Sequence, residues 1–145
     1  MQSLEHNRSR QRLSFSSADL RPHCIAWTAF AGYEILLSGL IAGRFGHPLD
    51  YLLHYILYIV LFYFHCYRVL IPTFSKKTPD WPKLSLKILL ELLIYLICNR
   101  LIAQILDAVG APAFWDLDVR MFFLTNIYRF LFMIGISTGY WIHID

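Results

Sequence analysis

The sequence predicts an all-α integral membrane protein, a four-helix bundle with both termini on the cytoplasmic side. Three observations carry that expectation. Apolar residues make up 57% of the chain and charged residues only 16%, too few charges to cover the surface of a small water-soluble domain. The apolar residues are gathered into four runs, about 24–42, 51–71, 84–109 and 121–144, and about 20 residues at the helical rise cross a hydrocarbon core of about 30 Å. None of the runs alternates as a barrel strand must, and backbone groups in lipid are satisfied within the segment only by a helix.

Residues 1–22 are polar and rich in Ser and Arg, and read as a flexible cytoplasmic tail ahead of the 23–145 membrane domain. The first apolar run is too long for a signal-peptide core and carries Glu34, which favours an uncleaved anchor. Gly46 and Pro48 then close the first loop, Pro72, Pro79 and Pro82 punctuate the second, and Gly110 and Pro112 open the third. Orientation follows from the basic residues near the span ends. The tail holds Arg8, Arg10, Arg12 and Arg21, and the second connection holds Arg68, Lys76, Lys77 and Lys83. The first loop has Arg44 alone, and the third sets Arg120 against Asp107, Asp116 and Asp118. Basic and basic-poor segments therefore alternate as four crossings require. Trp27, Trp81, Trp115 and Trp141 fall near the span ends, where indoles favour the membrane interface.

Charged residues inside spans are costly, and they usually face the bundle interior. Glu34 and Arg129 are each about eight residues, or roughly 12 Å, from the outer ends of spans one and four. Arg100 lies at a similar level beside Asn99 on span three. A buried pair of Glu34 with Arg129 or Arg100 is expected, with Asn126 and Tyr33 adding hydrogen bonds. Such a pair is either a structural clamp or a ligand- or proton-sensing pocket, unless one arginine snorkels outward. His65 and Glu91 match in depth on the cytoplasmic side, as a packing pair or a pH-responsive contact.

Tyr51, Tyr55, Tyr58, Phe62 and His65 line one face of span two at helical spacing. His54 shares that face with His65, but His23, His47 and His143 lie at helix ends or in loops. A bis-histidine haem is therefore not expected, nor any other cofactor or metal. The cysteines Cys24, Cys66 and Cys98 all sit in apolar runs without metal-ligand spacing. Gly39 with Gly43, and Gly135 with Gly139, form G-x-x-x-G motifs in spans one and four. These allow close helix packing, either within the bundle or in a homodimer, and Ser137 and Thr138 can hydrogen-bond across the contact. No nucleophile elbow, zinc-protease or phosphate-loop motif occurs. The basic residues form no stripe interleaved with aromatics that would suit nucleic acid.

Three stretches resemble one family. W-T-A-F-A-G-Y-E (Trp27 to Glu34), F-Y-F-H-C-Y-R-V-L-I-P (Phe62 to Pro72) and S-T-G-Y-W (Ser137 to Trp141) resemble the short four-helix membrane region of bacterial LytS-like sensor histidine kinases. The resemblance implies a sensor or anchor module of a two-component system in the bacterial inner membrane. The family's phosphoacceptor and ATP-binding domains have no counterpart before Asp145, so no catalytic residue is carried over. The alternative is a self-contained small polytopic membrane protein that assembles with a partner complex or binds lipid. A transporter or redox carrier would call for internal repeats, broken spans or matched ligands.

Overall fold

The computed structural model describes residues 17–75, 78–111 and 118–144. The basic tail residues up to Arg12, Lys76, Lys77, Pro112, Trp115 and Asp116 lie outside the described residues. Among the described residues there are five α-helices: α1 (Ser17–Ala42), α2 (Pro48–Phe64), α3 (Ile71–Phe74), α4 (Trp81–Ala108) and α5 (Val119–Ile144). A π-helical segment, His65–Leu70, joins α2 to α3. Together α2, the π segment and α3 make one continuous rod, Pro48–Phe74. Among the described residues four helical stretches are long and apolar enough to cross a membrane, Arg21–Ala42, Pro48–Phe74, Trp81–Ala108 and Val119–His143. No strand occurs among these residues. The chain divides into two units, Met1–Arg44 and Phe45–Asp145.

Among the described residues the first unit contains the helix α1. It begins at Ser17, inside the segment the sequence assigns to the tail, and accommodates Pro22 in its interior. It ends at Ala42, and the next residue, Gly43, takes φ +67°. That left-handed conformation strains any side chain and suits glycine. The Gly39–Gly43 spacing therefore does not lie along one helix: Gly43 terminates α1 rather than packing on its face.

The second unit holds the other three spans, and its caps show why they start and stop where they do. His47 caps α2 by accepting from the Leu49 amide at 3.2 Å, with Pro48 in the first turn. Asp80 caps α4 by accepting from the Lys83 amide at 3.2 Å, and Pro82 occupies the first turn, where its missing N–H costs nothing. At the far end of α4 the Ala111 amide donates to Leu106 (2.9 Å) and the Gly110 amide to Asp107 (3.0 Å). With Gly110 at φ +70°, this is a complete Schellman closure.

Pro72 behaves differently from the sequence expectation. It does not end span two, because the helix runs on to Phe74. Proline removes an amide donor and crowds the carbonyl four residues earlier, here Arg68. The turn before it widens, and the Ile71 amide reaches back to Cys66, five residues away, in the π pattern. Widening also changes which residues point inward. His65 and Cys66 are both buried, as are Val69 and Leu70.

The three spans pack on one another along their lengths. Span four turns Asn126, Phe130, Met133 and Ser137 inward, and span three turns Leu84, Glu91, Tyr95, Asn99 and Leu106 inward. Tyr95 meets Phe130 at 5.6 Å and Tyr58 at 6.5 Å between ring centroids, placing all three spans around one aromatic centre. At the end where α3 meets the start of α4 and the end of α5, Phe74 stacks on Trp141 (4.8 Å) and touches Trp81 edge-on (6.0 Å). This is an aromatic cluster of the kind that sits at a membrane interface.

Candidate polar seam between the spans

The interior of the second unit is not uniformly apolar. Glu91, Tyr95 and Asn99 fall four residues apart on α4, so they stack on one face a turn apart. All three are buried, at 5%, 2% and 2% exposure. Opposite them, the π segment presents His65, which is fully buried. Its Nδ1 and the Glu91 Oε2 are 2.8 Å apart and share a hydrogen bond between spans two and three. A contact at that distance between two ionisable groups away from water fixes how the two helices meet, and removing either partner leaves the other buried without it.

About two turns back along span two, Arg129 of span four donates from Nη1 to the Tyr58 hydroxyl at 2.8 Å. Its guanidinium also lies 5.6 Å from the Tyr58 ring centroid, within cation–π range. Tyr58 itself is 2% exposed. The Tyr95 hydroxyl is in electrostatic reach of Tyr58, Asn99 and Arg129, yet it is hydrogen-bonded to none of them at standard length. Asn99 and Asn126 each donate their amide nitrogen to the carbonyl a turn earlier on their own helix, Tyr95 (2.9 Å) and Phe122 (2.8 Å). A carbonyl can only accept, so this fixes Asn99 Oδ1 as an acceptor directed elsewhere.

Two further links tie the rods together or steady their ends. Ser137 Oγ donates to the Phe62 carbonyl at 2.8 Å, joining spans two and four. The Phe62 carbonyl also accepts from the His65 amide, so the serine hydroxyl uses the second acceptor site of that oxygen. Thr138 instead donates to Ile134 on its own helix at 2.8 Å. Near the start of α2, His54 Nδ1 meets both the Asp50 carboxylate (2.8 Å) and the Asp50 carbonyl (2.9 Å).

The other residues singled out by the sequence are placed as follows. Arg100 and Tyr33 are exposed, and Glu34 is half-buried. Glu34 and Tyr33 belong to the first unit, while Arg100 and Arg129 belong to the second. Gly135 and Gly139 lie on an open face of α5, where an added methyl group would meet nothing within 4 Å. Cys66 is buried, Cys98 half-buried and Cys24 exposed. No cluster of three His, Cys, Asp or Glu suited to a metal occurs among the described residues.

Sequence reasoning missed Tyr95 and the Tyr58–Arg129 bond. A signal for Tyr95 was present, since it stands midway between Glu91 and Asn99 at a spacing of four. Tyr58 was grouped with a packing stripe, and nothing in its spacing distinguishes a ring that packs from one that also accepts a hydrogen bond.

No protein-family model, no curated protein and no solved structure matches this chain. The resemblance to the LytS-like kinases therefore rests on the three quoted stretches alone.

Proposed function

We propose that this chain is a small polytopic membrane protein that acts by assembly within the bilayer. It crosses four times with both ends cytoplasmic, and it meets lipid or a partner complex through its apolar flanks. The observation that carries this reading is the inverted distribution of polarity. Leu86, Leu89, Leu90, Leu93 and Ile97 of span three are more than half exposed, while Asp50, His65, Glu91, Asn99, Asn126 and Ser137 are buried. Water would favour the reverse, whereas a bilayer rewards it. The aromatic cluster of Phe74, Trp81 and Trp141 supports a shared interface level at the end of the unit that lies near Arg68, Lys83 and Lys87.

Paired reporters test the topology, one active only in the cytoplasm and one only outside it. Fusions after Thr78 and at Asp145 are expected to read cytoplasmic, and fusions after Gly46 and at Asp118 to read external. Inversion of all four would reverse the orientation, and loss of alternation would remove the four-span reading.

A second reading, the membrane input module of a signalling histidine kinase, is favoured by the π-helical turn that carries His65 against Glu91. Widened turns inside helices are frequent at functional positions, and a proton-dependent contact there would couple spans two and three. It requires downstream coding sequence for a helical linker and a phosphoacceptor histidine domain in the same frame. A stop without such sequence would end it.

A further inference from the structure

Four buried polar atoms in the seam have no protein hydrogen-bond partner among the described residues: His65 Nε2, Glu91 Oε1, Tyr95 OH and Asn99 Oδ1. An unsatisfied buried group costs about 1–3 kcal/mol, so four on neighbouring turns of one seam call for a common explanation.

The chemical character of these atoms follows from charge balance. His65 and Glu91 are 0% and 5% exposed, and an uncompensated charge in such a setting is strongly disfavoured. The titratable and charged groups on the packed interior faces are few. Span two contributes Asp50, His54 and Tyr58, span three contributes Glu91 and Tyr95, and span four contributes Arg129 and Tyr140. The π segment adds Cys66 and Tyr67. Of these, Glu91 is the one hydrogen-bonded to the imidazole, and Arg129 donates to Tyr58, seven residues or about two helical turns from His65 along span two.

The pair is electrically neutral when it holds two protons. One lies between Nδ1 and Oε2, and the other is on Nε2, whether the pair is written as imidazolium–carboxylate or as imidazole–carboxylic acid. In both forms Nε2 is a donor and Oε1 retains acceptor capacity. Asn99 Oδ1 is an acceptor, and the Tyr95 hydroxyl can do either.

A seam offering a donor, two acceptors and a two-way hydroxyl suits neither ion class. A cation would meet the Nε2–H, and an anion would meet Oε1 and Oδ1. It suits a neutral molecule that donates and accepts at once. We propose that the seam from His65 and Glu91 to Asn99 binds internal water, a short hydrogen-bonded file within the membrane domain that exchanges protons with the His65–Glu91 pair. The spacing agrees. Glu91, Tyr95 and Asn99 are each about one helical turn, roughly 5–6 Å, apart, a gap that one bridging water spans with two hydrogen bonds. Buried waters typically make about three such bonds to groups the protein leaves unpaired. The file goes beyond the assembly reading and uses only the membrane setting of the spans.

The test uses the full chain labelled with 15N-histidine in phosphatidylcholine nanodiscs, with NMR magnetisation transfer from water to the His65 Nε2 proton. A proton-bearing Nε2 with direct transfer from water is expected. Tyr95→Phe keeps the ring against Phe130 and removes only the hydroxyl, and is expected to cut the transfer several-fold. Asn99→Leu is expected to do the same. A bare Nε2, an Nε2–H that receives nothing from water, or transfer unchanged in a folded Tyr95→Phe protein would each overturn the proposal.

Discussion

Replacing Glu91 with alanine is expected to destabilise the three-span unit by about 3–5 kcal/mol, the usual cost of removing one partner from a buried ionisable pair. His65 is fully buried, so the substitution leaves its Nδ1 without the carboxylate 2.8 Å away and without access to bulk solvent. The size of the effect comes from what is left behind more than from the strength of the bond. The pair's net contribution is a separate quantity, and it is smaller. Replacing both residues by apolar ones of similar volume, His65→Phe with Glu91→Leu, is therefore expected to recover most of the loss. Unfolding in mixed micelles with increasing sodium dodecyl sulfate measures both. A double variant as unstable as the sum of its singles would show that the two residues do not act through each other.

Phe130→Ala is expected to have the second-largest effect, roughly 2–4 kcal/mol by the same assay. In soluble proteins truncating a buried phenylalanine costs about 3–5 kcal/mol, part transfer and part cavity. In a bilayer the separated helix still surrounds the ring with lipid, so much of the transfer part is absent and the packing part remains. Phe130 is 1% exposed and lies against Tyr95 at 5.6 Å, at the centre where all three spans meet. Phe132, two residues on and 44% exposed, is the control, and its alanine variant is expected to lose far less.

The spans themselves were legible because hydropathy and length are properties of contiguous sequence. The second, third and fourth helical rods begin within three residues of the apolar runs, and they extend past them at just the places where His47 and Asp80 supply caps. Depth counting set His65 level with Glu91, and the structure has them bonded. That step needs only the helical rise and the direction of each span. The widened turn was not legible. Pro72 reads as a stop, since the rule for proline concerns the lost donor and the crowded carbonyl. The helix has the alternative of taking an extra residue into the turn before it. That choice depends on neighbours that reward burying His65 with Cys66 and Val69 with Leu70. Gly43 shows the same limit from the other side. Its spacing from Gly39 suits a packing motif, but a glycine at a helix end is used for its left-handed backbone, and spacing alone does not separate these uses. Ser137 and Thr138 were adjacent candidates for a bond between helices. One faces Phe62 across the contact and the other its own helix, a difference of one position in helical phase.

The central claim is that span three lies in lipid with its leucines outward and its polar seam inward. Photolabelling with a lipid-soluble carbene reagent, read residue by residue along Trp81–Ala108, tests this most directly. Label is expected at Leu86, Leu89, Leu90 and Leu93 and absent at Glu91, Tyr95 and Asn99, repeating with the helical period. Label spread evenly around the helix, or heaviest on the Glu91 face, would contradict the account.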